Sequence, residues 1–244
     1  MGNLNRQSIP MSERLMMVFR LLDMGNVICD VGCDHGYLPI KLIESGNYNK
    51  AIAMDINEGP LNKASENIDK FGLSDCIETR LSDGVKSLRQ DEADAVSICG
   101  MGGNVMMHIF DDGKEVLSHL DKIVIQPQSE YMTLHNYILL QGYAIVDEDI
   151  VFEDGKYYFA WKLKYTGESL SDADGTIKEK PGYYHSVNLL EQGNETYRAY
   201  LEYHLKNCNK AIENIKANSS DNARLEQLLA ERDLVRDSVR EYYS

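Results

Sequence analysis

The residues best suited to chemistry lie in one short run, Asp30-Val31-Gly32-Cys33-Asp34-His35-Gly36-Tyr37. It follows a β-rich segment and opens a helical pattern. A glycine there lets a ligand approach the backbone, and the helix start behind it offers free N–H groups and a positive dipole end to a carboxylate or phosphate. Further along, Asp55 and Ile56 close the run Ala-Ile-Ala-Met-Asp-Ile (51–56), and a carboxylate at a strand end can accept both hydroxyls of a ribose. Asp83 and Gly84 sit in Leu81-Ser82-Asp83-Gly84, and Cys99-Gly100-Met101-Gly102-Gly103 places three glycines in four residues, which allows close backbone approach. Met101 offers a soft surface for a flat ring. Gln126-Pro127-Gln128 supplies polar groups that either read the edge of a base or cap and bond a loop. The glycine spacing Gly32-x-x-x-Gly36 is not the G-x-G-x-x-G of nicotinamide-binding loops, so a dehydrogenase is disfavoured.

These residues need elements to carry them. Ser12 reads as an N-cap, with Glu13 in the first turn and Leu15, Val18, Phe19 and Leu22 at helical spacing up to Gly25. From there to about residue 165 the chain alternates. Apolar, β-rich runs at 27–31, 51–56, 76–81, 93–99 and 122–126 are separated by helical patterns at 37–46, 58–71, 103–119 and 130–141. Continuously apolar strands fit a parallel sheet covered on both faces, and the alternation implies right-handed βαβ crossovers. Two more strands, 143–152 and 156–165, are joined through Asp154-Gly155, a hairpin signal. Five strands joined by helices and then an antiparallel pair make the seven-strand, Rossmann-like α/β layout of class I methyltransferases.

Residues 1–10 read as a flexible lead, 11–166 as the catalytic domain and 167–244 as a C-terminal helical domain. The segment 166–182 is rich in Gly, Ser and Asp and reads as a linker. Beyond it Leu201, Leu205, Cys208, Ile212 and Ile215, then Leu225, Leu228, Val235, Val239 and Tyr242, form two helical stripes. Asn218–Asn222 breaks them, with Asp221 as N-cap, so an antiparallel hairpin is expected.

The 244 residues carry 25 basic and 39 acidic side chains, a net charge of −14. Both sides of residue 165 are acidic, which opposes a large polyanionic partner and requires any such partner to meet a local basic patch. No apolar run approaches the roughly 18 residues needed to span a bilayer, and the N-terminus lacks the apolar stretch of an export signal. A cytoplasmic protein without membrane attachment is expected. The five cysteines are scattered, without a Cys-x-x-Cys pair, which offers no metal-site spacing.

Taken together, Asp30–Ile40 (DVGCDHGYLPI), AMDI, LSDG, ICGMGG and VIQPQSE, in this order, resemble the bacterial tRNA (adenine-22-N1)-methyltransferase family. The loop departs from the acid-x-G-x-G-x-G pattern of class I methyltransferases at Asp34, which replaces the middle glycine. The resemblance implies S-adenosyl-L-methionine as methyl donor, tRNA as substrate and a coiled-coil-like C-terminal domain. It implies cofactor contacts at Asp30, Gly32, Asp34, Gly36, Asp55, Ile56, Asp83, Gly84 and the Gly100–Gly103 run, with Arg14 pairing the methionine carboxylate. Asp83 would bond the adenine amino group of the cofactor, and Gly100–Gly103 would face the transferable methyl. Asp34 is the candidate for balancing charge on the methylated adenine or for gripping its amino group. His35 is a candidate for a polar contact, and Tyr37 either stacks on a base or caps the helix. Gln126 and Gln128, with Lys178, Lys206 and Arg224, are candidates for contacts to the RNA. No metal is expected, and a monomer is expected. A methyltransferase acting on a small molecule or protein, or a cofactor-binding module without turnover, are the alternatives.

Overall fold

The computed structural model describes residues 9–169, 186–218 and 221–243. Helix α1 (Glu13–Leu22) leads, and the side chain of Ser12 caps it by accepting from the Leu15 amide at 3.3 Å. It buries Met17, Val18, Leu21 and Leu22, the i, i+1, i+4, i+5 set of one helical face. There follow β1 (Val27–Val31), α2 (Tyr37–Glu44), β2 (Lys50–Asp55), α3 (Glu58–Lys70), β3 (Ile77–Leu81) and β4 (Ala95–Met101). Next come α4 (Gly103–Asp112), α5 (Lys114–Leu117), β5 (Lys122–Pro127), α6 (Tyr131–Leu140), β6 (Tyr143–Glu153) and β7 (Lys156–Tyr165).

The seven strands form one sheet in the order β3-β2-β1-β4-β5-β7-β6. The first five are parallel, and β7 runs antiparallel to β5 with Ile125 opposite Trp161. The chain reverses its lateral progress between β1 and β4, so the loops leaving the carboxyl ends of these two strands diverge and leave a crevice. That crevice is where Gly32 to Gly36 and Gly100 to Gly103 lie. The core on one side is built from α1, α2 and α3 against Ile28, Ala51, Ala53 and Val124.

Three details differ from the sequence expectation. The helix expected over 103–119 is broken at Gly113, whose amide closes on the Ile109 carbonyl at 2.9 Å. The strand expected over 93–99 starts at Ala95, and just before it the Asp94 carboxylate accepts the Asn26 and Val27 amides. It also runs on to Met101 through a register shift between Cys99 and Met101, so Gly100 and Met101 are strand residues and not loop.

The C-terminal residues form α7 (Val187–Glu191), α8 (Glu195–Asn218) and α9 (Asn222–Tyr242). Asp221 caps α9 through the Arg224 amide at 3.0 Å, and the α8–α9 contact buries Cys208, Ile212 and Leu228. The five-residue α7 is too short to leave a periodic signature. Two compact units result: 9–153 with 158–169, and 154–157 with 186–218 and 221–243. The linker expected at 166–182 falls largely outside the described residues, as does most of the lead at 1–10. Among the described residues no helix is long and apolar enough to cross a membrane.

Candidate active site

The loop after β1 is a tight turn held by backbone hydrogen bonds. The Gly32 and Cys33 amides both bond the Met54 carbonyl, at 2.8 and 2.9 Å, and the Gly36 amide returns to the Cys33 carbonyl at 2.7 Å. The His35 carbonyl is held by the Asn67 side chain at 2.9 Å. Gly32 has φ +74, and a β-carbon there would lie 2.3 Å from the Met101 methyl. Asp34 takes the left-handed region at φ 46, a conformation that Asn and Asp tolerate better than most residues, and its carboxylate is directed outward with the side chain 68% exposed.

Two clefts meet at Gly32. The first, about 480 Å³, is bordered by Asp55, Ile56, Asp83, Gly84, Met101 and His108. Asp55 is 9% exposed and accepts the Asn57 amide on Oδ1 at 2.9 Å, which fixes the carboxylate against the cleft. Beside it Ile56 is 60% exposed, an apolar face without a protein cover. Asp83 holds Lys86 at 2.6 Å, and Lys86 reaches on to Asp112 at 2.9 Å. Those two hydrogen bonds, with Asp83 the stronger, raise the Lys86 ammonium above its ordinary range. Asp83 therefore enters the site already paired. Ser82 shapes this turn by bonding the Gly84 carbonyl and accepting the Ser87 amide.

The second cleft, about 510 Å³, is bordered by Arg14, Asp30, Asp34, His35, Tyr37, Gly100, Gln126 and Gln128. Asp30 is 4% exposed and accepts the Ser97 hydroxyl at 2.7 Å. Burial raises its carboxyl to about 6, against the opposing pull of the Ser97 hydrogen bond, and the neighbouring Asp55 charge adds to the rise. Burial, reinforced by Asp30, also pushes the Cys33 and Cys99 thiols upward, so neither is a thiolate nucleophile at neutral pH. His35 and Tyr37 stack at 5.3 Å with their planes 15° apart, and His35 Nε2 lies 3.6 Å from the Asp34 carboxylate. Gln128 is exposed, and its Nε2 lies 3.6 Å from where a Gly100 β-carbon would be. Gln126 instead is buried and spends its amide on the Pro127 carbonyl at 2.9 Å.

Most of the residues singled out in the sequence thus border one or other cleft, but not all. Gly36 is needed for packing: at φ +71 its absent β-carbon would lie 3.2 Å from the Ala64 β-carbon of α3. Gly102 and Gly103 make room for the Ser129-Glu130 turn, whose atoms would lie about 3.0 Å from their β-carbons. These three glycines border neither cleft. Arg14 borders the second cleft, yet it is paired with Glu153 at 3.4 Å and lies over the Tyr158 ring. Gln126 borders the second cleft while its side-chain amide bonds the Pro127 carbonyl. Lys206 is exposed on α8 beside Glu202, Lys210 and Glu213, and Arg224 is exposed and bonds Gln227. Lys178 lies outside the described residues. Sequence reading missed Val105, His108, Ile109 and Asp112 on α4, which complete the first cleft. Their signal was faint: an amphipathic helix starting directly after a glycine-rich strand end.

The comparisons agree with this geometry. Residues 11–160 match the methyltransferase domain family. Over 150 residues the chain is 35% identical to the tRNA (adenine(22)-N(1))-methyltransferase of Bacillus subtilis, an alignment covering 62% of this chain and 63% of that protein. The chain thus spans under two thirds of the curated relative it matches. Among solved structures it resembles the B. subtilis m1A22 tRNA methyltransferase TrmK, with a TM-score of 0.82 and 27% identity, covering 95% of this chain and 100% of that one. It also resembles M. capricolum TrmK in complex with S-adenosyl-homocysteine, with a TM-score of 0.79 and 26% identity over 95% of this chain and 99% of that one. With the sheet order, the paired clefts and the family match in agreement, the chain belongs to the methyltransferase domain family.

Proposed function

We propose that this protein methylates N1 of adenine 22 in tRNA, using S-adenosyl-L-methionine. The observation that carries the reading is the pair of clefts joined at Gly32, together with the likeness to TrmK over nearly the whole chain. Each volume lies within the roughly 300–1,000 Å³ usual for small-molecule sites.

The donor set suits this cofactor. The first cleft sets a fixed carboxylate, Asp55, beside the uncovered apolar face of Ile56, which together fit a ribose diol and a flat base. The second is bordered by an acid, Asp30, and a base, Arg14, which fits the ammonium and carboxylate of an amino acid. Gly32 is the residue at the joint, with the Met101 side chain packed beside it. When bound, S-adenosyl-L-methionine supplies an electrophilic methyl on a sulfonium.

An adenine N1 carries an available lone pair, so the chain need not remove a proton. Its residues have to hold the base out of its stack, orient N1, exclude water and balance the positive charge that the product ring gains. Asp34 is the residue we assign to that charge, because it borders the second cleft and its exposed carboxylate is open to an incoming base. The stacked His35 and Tyr37 offer a flat ring surface for the base, and the Gln128 amide offers a hydrogen-bonding edge. On the helical unit, Lys206 and Arg224 are offered to phosphates. Their acidic neighbours keep that attraction local, so the affinity for tRNA should be modest and fall steeply with salt.

The test uses labelled S-adenosyl-L-methionine with a tRNA transcript carrying adenine 22 and a matched transcript lacking it. Incorporation into the first alone, with a reverse-transcription stop at that position, supports the reading. Equal incorporation into both, or none despite confirmed cofactor binding, overturns it and directs attention to another methyl acceptor.

A further inference from the structure

The helical unit contains a cluster that the methyltransferase reading does not use. His204 and Cys208 stand one turn apart on α8, at i and i+4, so both project from the same face. Glu231, on α9, meets them from the facing helix: His204 Nε2 and Glu231 Oε1 are 2.8 Å apart. One ligand atom from each of the three residues lies within 4.8 Å of the others. His204 and Glu231 are half-buried, and Cys208 is 4% exposed among Ile212 and Leu228.

We propose that His204, Cys208 and Glu231 form a metal site for a zinc-class divalent cation that clasps α8 to α9. The argument is one of donor type, geometry and charge. Imidazole, thiolate and carboxylate are all zinc ligands, with bond lengths of roughly 2.0 to 2.3 Å. Three donors around one ion at those distances stand roughly 3 to 4 Å apart, so separations of up to 4.8 Å would close by at most about 1–2 Å and the 2.8 Å His204–Glu231 pair would open slightly. A dication held by one thiolate, one carboxylate and a neutral imidazole is electrically neutral overall, which suits a largely buried seat. The fourth tetrahedral position would go to water. The two helices are joined only by the short segment 219–221, so an ion bound to both would tie their surfaces together and couple metal affinity to the stability of the hairpin. The site is independent of the clefts and of the methyl-transfer reading.

The test is titration of the full-length protein with Co2+, then displacement by Zn2+. One Co2+ per chain is expected, with the near-ultraviolet charge-transfer absorption of a thiolate–cobalt bond. That absorption should vanish in Cys208→Ser, and Glu231→Gln should weaken binding by at least about tenfold, a loss that even an outer-shell partner causes. Zn2+ should raise the thermal midpoint of the parent and leave that of Cys208→Ser unchanged. Retained helical circular dichroism confirms that each variant folds; if Cys208→Ser does not, His204→Asn, which alters a half-buried residue, must show the same tenfold loss. Absence of stoichiometric binding, or a thiolate band that survives Cys208→Ser because Cys33 or Cys99 is the ligand, overturns the proposal.

Discussion

Replacing Asp30 with Asn should stabilise this protein at alkaline pH while weakening its hold on the cofactor. Asp30 lies inside the sheet between β2 and β4, bordering the second cleft, with Ser97 as a side-chain partner. Burial raises its carboxyl from the ordinary 3.8 to about 6. Folding therefore favours the protonated acid. The stability it contributes is fully present below pH 3.8 and is lost as pH rises through about 6. At 1.36 kcal/mol per pH unit, the rise amounts to about 3 kcal/mol. An Asn at this position keeps an oxygen for the Ser97 hydroxyl and carries no charge to desolvate. Its NH2 adds a donor whose cost, if unpaired, is roughly 1–3 kcal/mol. The expected net gain at pH 8 is thus about 0–2 kcal/mol, shrinking by about 2.4 kcal/mol on going to pH 4. Urea unfolding of parent and variant across pH 4–8 isolates this group, because the other carboxylates cancel in the difference. In parallel, calorimetric titration with S-adenosyl-homocysteine should show affinity reduced by about 10- to 100-fold, as loss of a charged hydrogen bond would cause. A stability difference that does not change with pH would refute the claim that Asp30 is a desolvated carboxylate, and unchanged affinity would refute its placement against the cofactor.

Other variants separate the roles of neighbouring residues. Asp55→Ala removes the fixed acceptor of the first cleft and should weaken S-adenosyl-homocysteine binding by tenfold or more in the same calorimetric titration; parent-like affinity would reject a ribose contact. Gly36→Ala meets a left-handed backbone and the Ala64 β-carbon at 3.2 Å. It should cost about 1–3 kcal/mol in urea unfolding, and the folded fraction should bind the cofactor normally. Asp34→Ala should lower turnover on tRNA by at least about tenfold while shifting cofactor affinity less, and equal turnover would remove Asp34 from the reaction.

Much of the architecture was legible because the relevant signals are local. A parallel strand covered on both faces must be apolar nearly throughout, so β1, β2 and β5 stand out as runs, and Ser12 and Asp221 mark helix starts through a side-chain-to-amide bond three residues long. The loop between β1 and α2 announced itself by its glycines and acids. Tertiary contact decided what those residues do. Gly32 and Gly36 look alike in a motif, yet one sits at the joint of two clefts and the other against Ala64. Gln126 and Gln128, two residues apart, would share a face on a continuous strand, but β5 ends at Pro127, so Gln126 is buried while Gln128 is exposed. Arg14 meets Glu153 only because α1 packs on β6, 139 positions away in the chain. The cysteine spacing offered no metal site, whereas the third member of the His204–Cys208–Glu231 cluster arrives from the opposite helix of the hairpin. Residue type, period and capping are properties of neighbours along the chain and can be read from sequence. Which glycine makes room for a ligand, which acid loses its water and which side chains converge depend on surfaces that touch only once the chain has folded.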